Sequence, residues 1–320
     1  MAYKYKLGRC KVKDKDRLRE FRQLRKKWIS WINGPIIIEI ASMMTNDVLF
    51  RTINEARRIA TEKPDDTVDF NGHVAHLLDA GFVTAQLMSI RRLVDESDDV
   101  ISLRRLYGDL KKHKHLITRE IYVCYDGLPY DFAPVRQKQL FRAAVRNGSP
   151  LVARRVPNEG PRAWAASQRL HEQFDKLSSK GPTHRQRGDC IRGAIFKDIE
   201  SRFDLCSKMR RAATEKIAHL PDPKTWRQDR KQNPGIAKGR AYAITLGNIR
   251  QAQRAICQIS HIISGSLLWN ASYSLVAIPP YDYLKHFDKG WCSKENLNKL
   301  RRFWEQQANA VDEWTNFEWP

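Results

Sequence analysis

The stretch "MRRAATEKIAHLPDP", Met209 to Pro223, places an imidazole, His219, at the end of a basic segment and just ahead of two prolines. Such a group can accept and return a proton near neutral pH, and arginines beside it can grip a phosphate in a two-pronged fork. A helix turns about 100° per residue, so Ile217 and His219 lie about 200° apart and His219 faces away from the apolar stripe. The same arithmetic brings Lys208, Arg211 and Glu215 within about 80° of His219, forming one polar ridge of cations, an acid and an imidazole. The plainer alternative is a helix stop. An imidazolium in the last turn gains about 0.3–1 kcal/mol from the helix dipole, and a following proline ends the helix.

Other polar groupings invite weaker chemistry. His73, His76 and Asp79 in "NGHVAHLLD" share neighbouring flanks of a helix, but a helical carboxylate site needs a second such segment, and none occurs. His113 and His115 in "KKHKHL" project to different sides of a basic run. "PTHRQRGDC" and "KTWRQDRK" mix bases with polar and aromatic residues, as surfaces that follow a phosphate backbone do. The cysteines Cys10, Cys124, Cys190, Cys206, Cys257 and Cys292 are scattered without a C-x-x-C pair, so a zinc knuckle or redox motif is not expected, and no metal or cofactor is. "GRAYAITLGNIR" has spaced glycines but no preceding strand, and neither a Walker motif nor a nucleophile elbow is present.

The charge balance narrows the partner class. The 320 residues carry a formal net charge of +21, more than solubility requires, which points to a polyanion such as RNA or DNA. Twelve of the basic residues fall between Lys4 and Lys27 against three acidic ones, an expected basic N-terminal arm or helix over residues 1–30. The candidate nucleic-acid contacts are Lys11, Lys13, Arg25, Lys26, Lys27, Lys208, Arg227, Arg230 and Lys231. That arm lacks the apolar core of a signal peptide, and the most apolar windows are too interrupted to span a bilayer. A cytoplasmic protein away from the membrane is expected.

Apolar residues recur at helical spacing nearly throughout, so the expected fold is all-α, an elaborated antiparallel helical bundle. Pro35 should open a helix reaching Thr61, and another should follow over 72–96. Ser102 should cap the next. A turn-rich excursion follows over 127–161, with a short helix around 137–146. The stripe Ile191, Ile195, Ile199, Phe203, Cys206, Ala213 and Ile217 predicts one long helix from Arg187 to His219. "PDPKTWRQDRKQNPGIAKGR", residues 221–240, reads as an exposed basic connection, 241–268 as a helix and 297–314 as a last short one. The expected division is a bundle over 31–223 and a linker with helical extension over 224–320.

"KIAHLPDP" after a long helix, with "SIRRLVDESDDVISLRRLYGDLKKHKH" upstream, resembles the abortive-infection AbiU-like branch of the HEPN superfamily over roughly Lys27 to Pro223. The resemblance implies a helical bundle, a homodimer, a phage-defence or mobile-element setting and, in active members, a metal-independent endoribonuclease. There an Arg a few residues ahead of a His completes the site across the dimer. Here the positions that would hold it are Thr214, Ala213 and Ala212, and the nearest arginines, Arg211 and Arg210, stand one or two residues earlier. Arg211 lies about 12 Å from His219 along a helix axis, and Lys216 is closer but lacks the fork. Two functions compete on these grounds. One is a nucleic-acid-binding helical protein, RNA first, that is catalytically weak or silent. The other is a ribonuclease using His219 with Arg211 or Arg210. A structural subunit for an acidic protein is the third.

Overall fold

The computed structural model describes residues 6–61, 72–134, 137, 161–214, 244–270, 285 and 294–313. The chain divides into a unit over Met1–Val276 and a smaller one over Ala277–Pro320. Among the described residues the elements are helices, joined by one isolated β-bridge between Thr118 and Cys190. The fold class is all-α.

Much of the basic N-terminal segment is helix. Asp14 caps α1 (Lys15–Trp31) by accepting from the Arg17 amide at 2.9 Å. One face of α1, with Leu18, Phe21, Trp28 and Ile29, is buried in the main core. After it, Gly34 leaves helical geometry at φ −107° and ψ −110°, and Pro35 supplies no amide donor. A π-helical turn, Ile32–Ile36, carries the chain through this kink into α2 (Ile37–Thr61), which starts two residues after Pro35.

α2 packs on α3 (Gly72–Leu93), where Phe50 and Phe82 stack at 3.8 Å. Ser102 caps α4 (Leu103–Lys112) through the Arg105 amide, as its sequence position requires. A 3-10 turn, Lys114–Leu116, leads to the short α5 (Arg119–Cys124). Next come α6 (Pro161–Ser178), α7 (Gly193–Asp204), α8 (Ser207–Ala213) and α9 (Leu246–His261), the last closed by a capping box between Thr245 and Asn248. α9 touches α2, α3, α7 and α8, and a buried amide relay pins it. The Gln253 side chain donates to Gln86 at 2.8 Å, and Gln86 donates to the Met43 carbonyl at 3.0 Å. Such satisfied polar pairs fix register inside an apolar core.

The single helix expected from Arg187 to His219 is interrupted twice. Residues 187–189 instead serve α5: the Arg119 and Glu120 amides, orphan donors of its first turn, donate to the carbonyls of Asp189 and Arg187 at 2.9 and 3.0 Å. A second break falls at Leu205 and Cys206, where the amides turn back to Arg202 and Phe203 and separate α7 from α8. Residues 138–146 of the short helix expected around 137–146, and His219 itself, lie outside the described residues. The second unit contributes α10 (Lys294–Glu313), in the place of the expected last helix.

Candidate nucleic-acid interface

Trp28 and Ile29 turn one side of α1 into the core, which leaves Lys26 and Lys27 outside on the opposite flank. Asp109 of α4 fastens that flank. It accepts from Lys27 Nζ at 2.9 Å and from Trp28 Nε1 at 2.8 Å, and His113 Nδ1 lies 3.3 Å from it. Burial pushes the Asp109 carboxyl up, but the bonds from Trp28 and Lys27, with the Lys27 and His113 charges, outweigh it and hold it below the usual carboxylate range. The carboxylate stays ionised and cements the two helices.

The join collects charge. Beyond it α4 and the following turn present Lys111, Lys112, Lys114 and His115, all exposed. Lys27 and Arg105 both stand over the ring of Trp31, at 4.6 and 4.9 Å from its centroid. Lys114 lies 5.9 Å over Phe196 of α7, and Lys111 pairs with Glu200 at 2.5 Å. Lys27 and Arg105 therefore meet Asp109 and Trp31 on the α1 side of α4, Lys111 and Lys114 turn to Glu200 and Phe196 of α7, and Lys26 and Lys112 are exposed on α1 and α4. Such a surface can hold several phosphates at once, and its shared ion pairs keep the long side chains in place.

The other basic stretches fare differently. Arg25 is 4% exposed; its Nε and Nη2 donate to the Leu268 carbonyl at 3.1 and 2.6 Å, and it lies 4.3 Å over the Tyr125 ring. A polyanion cannot reach it, so Arg25 leaves the contact set. Arg22 is buried too and donates to the Tyr125 carbonyl at 2.7 Å. Lys11 and Lys13 are exposed ahead of α1, and Lys208 is exposed on α8 with Nζ 3.1 Å from Asn248. Arg227, Arg230 and Lys231 lie outside the described residues, as do Glu215 and Lys216.

"PTHRQRGDC" turns its bases inward. Arg187 reaches Glu120 at 2.6 Å and Asp131 at 3.0 Å, and Arg185 grips Asp175 at 2.7 Å. At the centre stands Arg119, fully buried, with Nε on Asp189 at 2.8 Å, Nη1 on Asp175 at 2.7 Å and Nη2 on Ser178 at 3.0 Å. Lys180 completes Asp189 at 2.7 Å. Four cations meet four carboxylates here, so the cluster is a self-neutralising clasp between α5, α6 and the loop before α7. It has no charge left for a phosphate.

His171 of α6 sits beside that clasp, its Nε2–H donating to the Tyr130 carbonyl at 2.9 Å. Burial is the main reason its imidazole titrates below the usual range; the bond to Tyr130 opposes this, and the charges of Arg185 and Arg119 add to it. A folded state that refuses a proton the unfolded chain accepts loses stability as pH falls. Stability from His171 is thus complete above about pH 6.5 and declines below it. Asp175 and Asp189, held low by their hydrogen-bonded bases against the opposing effect of burial, keep theirs until the pH drops under about 4. Urea-unfolding midpoints measured across pH should show the upper decline in the wild type and not in His171→Gln; equal declines in both would assign it elsewhere.

No family model, curated protein or solved structure matches this chain. The site therefore stands on its own geometry. Arg210 and Arg211 are exposed on α8, and Arg210 Nη1 reaches Glu96 at 3.2 Å. His73, His76 and Asp79 are exposed on α3, and among the described residues no group of three or more His, Cys, Asp or Glu side chains gathers as metal ligands do. No described helix is long and apolar enough to cross a membrane.

Proposed function

We propose that this chain binds nucleic acid, RNA first, by its phosphate backbone, using the surface that α1 and α4 build around Trp31, and that it does so without efficient catalysis. The observation that supports this is the exposure of Lys26, Lys27, Lys111, Lys112 and Lys114 along α1, α4 and the turn after it, about the join where Lys27 and Arg105 meet over Trp31, in a chain whose net charge is +21. Salt-dependent binding indifferent to base sequence is the behaviour expected of such a face. The phage-defence or mobile-element setting and the homodimer belong to this proposal through the HEPN resemblance alone.

A HEPN-type endoribonuclease is the second proposal, with His219 as acid and base and Arg211 or Arg210 on the phosphate. It is favoured by the exposure of both arginines on α8, the last described helix before His219. Incubating the full chain and its His219→Ala variant with labelled single-stranded RNA in EDTA, while following cleavage and gel shift together across salt, separates the two. Binding by both proteins with cleavage by neither is the expected outcome. Cleavage by the wild type alone would replace it with the ribonuclease, because a histidine acting on the transition state governs turnover and not affinity. Failure of both to bind at physiological salt would turn attention to an acidic protein as partner.

A further inference from the structure

A small cavity of about 60 Å³ opens between the turn after α3 and the α7 and α8 junction. Its apolar walls are Val94 and Phe203, and Glu96, Arg104 and Arg210 supply the charge. By volume it takes roughly four waters, the space of one tetrahedral oxyanion.

Arg104 is held rigidly there. Its guanidinium carbon lies 4.8 Å over Phe203 and 5.6 Å over Tyr107, and Tyr107 is itself fixed by donating to the Phe196 carbonyl at 3.0 Å. Arg210 approaches from α8. Both guanidinium groups end on the same atom, Glu96 Oε1, at 3.3 Å from Arg104 Nε and 3.2 Å from Arg210 Nη1. Those are long, single contacts where an arginine can make two short parallel ones. Arg104 Nη1, on the far edge of the guanidinium from the Nε–H that meets Glu96, is buried without an acceptor among the described residues. A buried cationic N–H without an acceptor is costly, and a carboxylate that is more than half exposed, as Glu96 is, satisfies the pair poorly.

We infer that this cavity is a phosphate-binding pocket, in which Arg104 presents the Nε–Nη2 edge of its guanidinium to two oxygens, Arg210 takes a third, and Glu96 is the resident carboxylate an incoming phosphate displaces. The ligand class is inorganic phosphate or a terminal phosphate monoester. Asp204 also lines the cavity and opposes an anion, and the Ser207 hydroxyl already donates to the Asp204 carbonyl, so the two arginines carry the affinity. The pocket is separate from the exposed lysines of α4 and the turn after it, since Arg104 and Lys111 lie on the order of 10 Å apart along the helix.

Calorimetric titration of the full chain with inorganic phosphate at low ionic strength tests this. Glu96→Gln keeps the side-chain shape but removes the competing charge, and should bind phosphate at least about tenfold more tightly than the wild type. Adding Arg104→Lys, which keeps a cation over Phe203 and loses the fork, should reverse that gain. Replacing Lys111, Lys112 and Lys114 together by Gln should leave the gain from Glu96→Gln and its loss with Arg104→Lys unchanged, which separates failure of this pocket from failure of the basic face. Parallel titrations with a 5′-phosphorylated and a 5′-hydroxyl dinucleotide distinguish the sources. A preference for the phosphorylated one that disappears with Arg104→Lys assigns the end of a nucleic acid, and equal weak binding of both, beside tight inorganic phosphate, assigns the free ion. Phosphate affinity that is the same in wild type and Glu96→Gln, or that is indifferent to Arg104→Lys, overturns the pocket.

Discussion

Arg119→Met is expected to lower the unfolding free energy by about 3–5 kcal/mol, the cost typical of removing one partner from a buried ion pair. The magnitude comes from what is stranded. Asp189 has a fully buried side chain and loses the Nε contact, and Asp175 loses the Nη1 contact, while Lys180 and Arg185 are left to neutralise them from the rim. The same change strips the Ser178 hydroxyl and the His171 carbonyl of their guanidinium partner. Arg119→Lys should fall between, because an ammonium cannot serve Asp175, Asp189 and Ser178 in one plane. Combining Arg119→Met with Asp189→Asn should cost less than the two single losses together, since the second change removes the stranded charge. Urea unfolding followed by circular dichroism reads all four proteins; a loss below about 1 kcal/mol for Arg119→Met would mean that the clasp contributes no net stability.

The clasp also marks where one sequence stops being informative. The all-α class was legible from spacing, and so were the cap at Ser102, the end of α2 at Thr61 and the placement of α10, because each depends on residues within a few positions of one another. Arg119, Asp175 and Asp189 are 56 and 70 residues apart in the chain, and nothing local distinguishes "PTHRQRGDC" from a wet basic loop. Its loop carbonyls satisfy the first turn of α5, which is also why the long helix expected from Arg187 does not form. Arg22 and Arg25 carried a signal that the charge count obscured. They occupy the helical stripe Leu18, Phe21, Trp28, Ile29 and Ile32, and a cation placed on a core-facing stripe either finds a buried partner or must carry its head out to water. The basic face was partly legible. Lys26, Lys27 and the "KKHKHL" run stood out in the sequence, but their meeting depends on Asp109 joining α1 to α4.

The largest functional loss is expected from replacing Lys111, Lys112 and Lys114 together by Gln. Each neutralised phosphate on a single strand contributes about 0.7 to the slope of log affinity against log salt, so losing three contacts weakens binding on the order of fifty-fold near 0.15 M salt. The three side chains are exposed and lie beyond the Asp109 anchor, so the fold should be unaffected. Removing the same charge elsewhere, by changing Lys176, Arg250 and Arg254 on α6 and α9 to Gln, should cost only a fewfold loss through net charge. An equal loss from both sets would make binding a property of overall charge and not of this face.

The most direct test is the salt dependence of single-stranded RNA binding, followed by fluorescence anisotropy for the wild type and the Lys111, Lys112 and Lys114 triple variant between about 50 and 200 mM salt. Lines that converge at high salt, with the variant's slope shallower by about 2, are the expected result and place phosphates on the face between α1 and α4. Parallel lines of equal slope would contradict it, because the phosphates would then be neutralised somewhere else.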